Sequence, residues 1–153
     1  MKYEVNKPIT PHQFVGILER SGLAERRPVD DAECMTGMIE NTNLLVTAWE
    51  DNSLIGVARS VTDFSFCCYL SELAVDRKYQ SEGIGKELIT RTQGELGPRC
   101  MIVLLSAPAA VDYYPHIGME KHPHAWILLR DKTLKRTTRP MDTRDKNQEQ
   151  ENG

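Results

Sequence analysis

Leu73-Ala74-Val75-Asp76-Arg77-Lys78-Tyr79-Gln80-Ser81-Glu82-Gly83-Ile84-Gly85-Lys86-Glu87-Leu88 decides the fold. It reads as the end of a β-strand, a polar turn, a glycine-rich loop and the first turns of a helix. The glycines Gly83 and Gly85 let backbone come close to a ligand with no Cβ in the way. The helix behind them presents unpaired N–H groups and the positive end of its dipole. Together these make an anion site suited to a pyrophosphate.

Composition narrows what surrounds that site. A chain of 153 residues predicts one domain. Its 40% hydrophobic and 27% charged residues are those of an ordinary globular protein. The net charge is −3 and no basic block interrupts the folded part, which argues against nucleic acid as a partner. No run approaches the ~20 apolar residues of a membrane span. Met1 to Val5 lacks the apolar stretch of a signal peptide, so a cytoplasmic location is expected. Cys34, Cys67, Cys68 and Cys100 form no C-x-x-C pair and have no zinc-like histidine spacing, so no metal is expected.

Around the central motif, alternation and breakers give an order of elements. Tyr3 to Ile9 predicts a strand. Thr10-Pro11 caps a helix carrying Phe14, Ile17 and Leu18, which Gly22 stops. A second helix starts near Asp30 or Asp31 and ends at Asn41-Thr42-Asn43. Leu44–Glu50 and Leu54–Val61 form a hairpin about Asp51-Asn52-Ser53. Phe66–Val75 continues the sheet. The helix from Gly83 runs to about Leu96, where Gly97-Pro98 ends it. Met101 to Leu105 is apolar throughout, the pattern of a central strand covered on both faces. A short helix from Pro108 to Tyr114 and a last strand from His124 to Arg130 complete a domain over residues 1–130. Residues 131–153 are polar and mixed in charge and are expected to form a mobile tail.

With Gln80-Ser81-Glu82-Gly83-Ile84-Gly85 at its strand-to-helix junction, this chain resembles the GNAT family of N-acetyltransferases. The family's signature there is Arg/Gln-x-x-Gly-x-Gly/Ala. A second likeness lies in Ala110-Val111-Asp112-Tyr113-Tyr114-Pro115-His116-Ile117-Gly118-Met119, against the family's A-x-x-F-Y-x-x-x-G-F. The resemblance covers roughly Leu44 to Arg130. It implies an α/β (α+β) fold: a central mixed sheet of six to seven strands, about four flanking helices, and fourth and fifth strands splayed apart. A Rossmann site would need G-x-G-x-x-G early in repeating βαβ units, which this chain lacks.

The resemblance also implies acetyl-CoA as donor and an amine as acceptor. Gln80, Ser81, Glu82, Gly83, Ile84, Gly85 and Lys86 are then the pyrophosphate loop. Lys86 and Arg91 stand where they would reach phosphates, though Arg91 reads better as a solvated helix face. Leu73, Ala74 and Val75 would offer main-chain groups to the pantetheine arm, as an added strand does, and an N–H near Val75 to the oxyanion. An alkylamine with a pKa near 10.4 is only about 0.04% neutral at pH 7, so its proton must be taken. Glu72 is the carboxylate best placed by position to act as base, directly or through water. Its alternative is an ordinary strand glutamate, facing solvent or pairing with a nearby lysine or arginine. Tyr69 and Ser71 are rival positions, on the opposite face unless a bulge intervenes. Tyr114, four residues before Gly118, matches the family's acid for the leaving thiolate. A phenol near pKa 10 is a weaker acid than a thiol near 8.5, so full proton transfer is uphill by ~2 kcal/mol and hydrogen bonding is the more economical role. The alternative for Tyr114 is a core aromatic on a short helix, a role that Tyr113 could fill instead. Pro115 and Met119 depart from the usual residues, and Pro115 should kink or end the helix. His116, His122 and His124 stand near the last strand.

The acceptor side is expected among the helices of residues 10–42 and the turn from Asp63 to Tyr69, with Phe14, Met35, Met38, Phe64, Phe66, Glu33 and Glu40. Gly56 to Leu88 also resembles the plant-type serotonin N-acetyltransferases and their bacterial relatives. That favours a small-molecule amine, arylalkylamine or polyamine. A protein acetyltransferase acting on N-termini or lysines, and a non-catalytic acetyl-CoA-binding domain, stay open as alternatives. The family also makes a homodimer possible.

Overall fold

The computed structural model describes residues 1–136. It separates into two units, Met1–Met119 and Glu120–Gly153. The first is a five-stranded mixed sheet with helices on both faces. Its elements are β1 (Lys2–Val5), α1 (Pro11–Ser21), α2 (Ala32–Glu40), β2 (Leu44–Glu50), β3 (Ser53–Thr62), β4 (Cys67–Val75), α3 (Ile84–Gly94), β5 (Met101–Val103) and α4 (Tyr113–His116). Short 3-10 turns occupy Leu23–Arg26, Arg77–Tyr79 and Pro108–Ala110. No described helix is long and apolar enough to cross a membrane.

Strand order is β1-β2-β3-β4-β5, antiparallel as far as β4 and parallel between β4 and β5. The parallel pairing covers only Cys67–Met101, Cys68–Ile102 and Tyr69–Val103. Beyond Tyr69, β4 runs on to Val75 with no β5 partner, and this is the splay that the resemblance implies.

Local chemistry explains the elements. Thr10 and Gln13 make a reciprocal capping box (3.1 and 2.9 Å) at the start of α1, with Pro11 in its first turn. Asp31 caps α2 by accepting the Cys34 N–H at 3.0 Å. Asp51 and Asn52 both have positive φ, 46° and 65°, which suits a two-residue hairpin turn between β2 and β3. Between β3 and β4, the Asp63 carboxylate accepts the N–H groups of Ser65, Phe66 and Cys67 at 2.8–3.0 Å.

The core has two layers. Phe14, Ile17, Leu18 and Met35 of α1 and α2 pack with Leu45 and Val57 on one face. Ile84 and Leu88 of α3 pack with Val46, Ala58 and Leu70 on the other. Burying each large side chain contributes ~2 kcal/mol.

Several expectations are corrected. The described sheet has five strands, not six or seven. The first strand stops at Val5 because Asn6 turns away with φ 53°, bonding Leu45 through both its N–H and its side chain. Met101–Leu105 yields a three-residue edge strand, not a central one. Ile102 and Leu104 pack beneath α3, while Met101, Val103 and Leu105 are exposed. An all-apolar run does not say how many of its faces are covered. The helix expected from Pro108 to Tyr114 is split into a 3-10 turn and α4. Pro115 is the third residue of that four-residue helix, where its missing N–H costs nothing.

In the second unit, His124 to Arg130 forms no strand. Its apolar side chains stay in water, Trp126 at 96% exposure, and nothing among the described residues offers them a ladder. The His124 N–H donates to His122 Nδ1 at 3.0 Å, and the Lys132 N–H closes a turn onto Leu129. Most of the tail expected over 131–153 lies outside the described residues.

Candidate active site

The site begins where β4 ends. Asp76 terminates the strand and is held on three sides: its N–H donates to Ile55 at 2.9 Å, Arg20 Nε reaches Oδ2 at 2.8 Å, and Oδ1 accepts the Lys78 N–H at 3.0 Å. The Gln80 side chain donates back to the Val75 carbonyl at 2.9 Å. Gln80 therefore ties the loop to the strand. Ser81 and Gly83 both have positive φ, 69° and 80°. Gly83 is the N-cap of α3, and no side chain caps the helix. The first intrahelical bond is from the Glu87 N–H to the Gly83 carbonyl, at 3.0 Å. The N–H groups of Ile84, Gly85 and Lys86 precede it and point out of the helix end. Gly83, Ser81, Glu82 and Lys86 are exposed around this end. An uncapped eleven-residue helix next to the unpaired edge of β4 is a fit for a pyrophosphate with an extended arm.

The two loop glycines are glycine for different reasons. Gly83 faces open space, and its φ of 80° is what excludes a side chain. Gly85 is crowded: a Cβ there would lie 2.8 Å from the Tyr113 hydroxyl. Tyr113 stands edge-on to Tyr114, with ring centroids 5.4 Å apart. Both are half-buried. Burial raises both phenols above their ordinary value, and Tyr113 raises Tyr114 further. Each therefore stays protonated through neutral pH as a hydrogen-bond donor. The higher pKa also makes full proton transfer from Tyr114 to a thiolate still more uphill.

Glu72 stands apart from this backbone site. β4 carries a bulge: Arg59 pairs with Glu72 and Ser60 with Leu70, so Ser71 is the extra residue. Leu70 accordingly packs on the α3 side, while Glu72 turns to the α2 side. Tyr69, next to Leu70, shares the Glu72 face. The bulge thus brings together two positions that simple alternation would separate. Glu72 is 2% exposed and both carboxylate oxygens are occupied. Oε1 accepts from Arg27 Nε at 2.8 Å and from Ser71 Oγ at 2.9 Å, and Oε2 accepts from Arg59 Nε. Arg27 also donates to the Ser71 carbonyl at 2.9 Å, and Arg59 to the Met38 carbonyl at 3.0 Å. The cluster bolts the bulge to the α1–α2 region.

Sequence reasoning missed Arg27 and Arg59. Arg59 carried a signal: one cation inside the apolar strand Leu54–Val61 requires a buried partner. On the expected acceptor side, Phe14 and Met35 are closed into the core. Phe64 and Phe66 are exposed on the β3–β4 turn. Val61, Tyr69 and Val103 stand side by side across β3, β4 and β5, each more than 40% exposed. Arg91 pairs with Glu87 at 2.7 Å on the outer face of α3. His116 is exposed at the end of α4. No group of metal-binding side chains occurs among the described residues.

A family model for the acetyltransferase (GNAT) domain matches residues 19–125. The chain belongs to the GNAT family. Within that family it is 33% identical over 76 residues to the chloroplastic GCN5-related N-acetyltransferase 2 of Arabidopsis thaliana. That match covers 48% of this chain and 30% of the plant protein, so it spans about a third of that relative's length. A predicted acetyltransferase from Clostridium acetobutylicum, solved with acetyl-CoA, superposes with a TM-score of 0.63 at 17% identity, covering 84% of this chain and 94% of that one. An aminoglycoside acetyltransferase from an uncultured soil metagenomic sample, solved with sisomicin, gives 0.58 at 20% identity, over 84% and 96%. At such identities the likeness is one of fold.

Proposed function

We propose that this protein transfers the acetyl group of acetyl-CoA to a primary amine on a small molecule, by direct attack in a ternary complex. The observation that carries the reading is the uncapped N-terminus of α3 beside the unpaired edge of β4. Acetyl-CoA supplies an activated thioester. Backbone N–H groups from Gly83 to Lys86 hold its pyrophosphate, and Leu73, Ala74 and Val75 hold its arm in the splay. The fold neighbour solved with acetyl-CoA supports that donor.

A main-chain N–H near Val75 stabilises the oxyanion at no reorganisation cost. Tyr114 donates a hydrogen bond to the departing thiolate, which takes up the proton that the nitrogen releases as the tetrahedral intermediate collapses to amide and free thiol. Glu72 contributes by holding the bulge, because accepting a proton would break its pairs with Arg27 and Arg59. The amine loses its proton to water at the open β3–β4–β5 face.

That face supports the acceptor class. Val61, Tyr69, Val103 and Phe66 offer exposed apolar surface, which suits an amine on an apolar or aromatic body. The neighbour with sisomicin is a small-molecule enzyme and supports the class, though not the compound. The reading places the protein in an aqueous compartment that holds acetyl-CoA, the cytoplasm or, as the plant relative's name suggests, a plastid. The test is an amine panel assayed for thiol release from acetyl-CoA. Turnover on arylalkylamines or polyamines is expected. Turnover confined to peptide N-termini or lysines would replace this reading with protein acetylation.

A further inference from the structure

We propose that Tyr113 is a positioning residue, matched to Gly85, that fixes Tyr114 relative to the pyrophosphate loop; this rests on the acetyltransferase reading above. The second glycine of such a loop is ordinarily credited to ligand approach. Here the space that its missing Cβ leaves is already taken. The Tyr113 hydroxyl lies 2.8 Å from the Cβ position and Tyr113 Cζ 3.6 Å, with Leu73 Cδ2 at 3.9 Å. The phenol of α4 is therefore keyed into the first turn of α3, close to the β4 segment that borders the splay. Gly85 has no positive φ to demand glycine, so the contact with Tyr113 is what keeps this position glycine.

The consequence concerns Tyr114. It shares a four-residue helix with Tyr113 and packs edge-on against it. So short a helix has little rigidity of its own. On the acetyltransferase reading Tyr114 faces the leaving thiolate, and the grip of its neighbour on α3 is what holds it there. A Cβ on Gly85 pushes the phenol out of its notch and turns Tyr114 with it.

The distances supply a discriminating test. A Cβ meets the hydroxyl too closely, but it meets Cζ at ordinary contact distance. Removing the hydroxyl should therefore make room for the methyl group. Gly85→Ala is expected to lower kcat about tenfold to a hundredfold, the scale of a small misplacement of catalytic groups. Its Kd for acetyl-CoA, by calorimetry, should stay within about threefold, a change of under 1 kcal/mol. Tyr113→Phe alone should cost less than Gly85→Ala. The Gly85→Ala/Tyr113→Phe double variant should recover most of the lost kcat. A double variant no better than Gly85→Ala, or a Gly85→Ala that acts through Kd or not at all, overturns the proposal. Melting temperatures of the four proteins without acetyl-CoA keep the test separate from the functional reading. The Gly85→Ala deficit should shrink in the double variant even if the acetyltransferase assignment fails, and simple additivity there overturns the matched pair itself.

Discussion

β4 serves two neighbourhoods by opposite means. Toward β5, its last residues have no ladder partner, the Val75 carbonyl being taken by the Gln80 side chain, and an uncapped helix end lies beside them. Toward α2, the same strand buries a carboxylate between two guanidiniums. On the proposed function, the first region binds through main-chain groups that the strand ladder leaves free. The second holds by satisfying every charge it can. Charge on the holding side and neutral dipoles on the binding side make sense together, because a buried ion pair is rigid and costly to disturb.

Breaking the charged side should have the largest effect, and it should fall on stability. Glu72→Ala leaves two arginines unpaired and should cost roughly 3–5 kcal/mol in urea denaturation. A rate collapse with stability intact would instead make Glu72 the base. Next comes Tyr114→Phe, which should lower kcat about a hundredfold, ~2.7 kcal/mol, with the melting temperature little changed. Because burial raises the Tyr114 pKa above its ordinary value of 10.0, the wild-type rate should show no phenol-dependent fall below about pH 10. Gly83→Ala sharpens the binding side. Forcing a Cβ into φ 80° should cost about 1 kcal/mol and weaken acetyl-CoA binding, read by calorimetry.

The smallest effect belongs to a carboxylate in neither region. Backbone N–H groups of Phe66, then Cys67 and Ser65, hold Asp63 down to about 2. The folded value lies below the ordinary 3.8, so its contribution is complete above about pH 4 and disappears as pH falls toward 2. Asp63→Asn should flatten that part of the acid-unfolding curve and leave kcat unchanged at neutral pH.

The binding side was the more legible in sequence. Gly83, the capping residues of α1 and α2 and the turn at Asp51-Asn52 each act through local backbone chemistry, which can be read from the residues directly, whereas the contact of Gly85 with Tyr113 cannot. The holding side depends on contacts across the fold. Arg27 sits in an unremarkable polar stretch, and nothing local says that it meets Glu72. The bulge at Ser71 is invisible too, yet it decides which side chains share a face. Met101–Leu105 and His124–Arg130 read as strands because apolar runs are strand-like, but a run cannot name its own partner.

The notch at Gly85 also constrains how this sequence can drift. Alanine is an allowed letter at that place in the loop signature, but on the proposed pairing it is best tolerated here once Tyr113 has lost its hydroxyl. A lineage that makes the two changes in the reverse order passes through an impaired intermediate. One hydroxyl group thus gives two distant positions a preferred order of substitution.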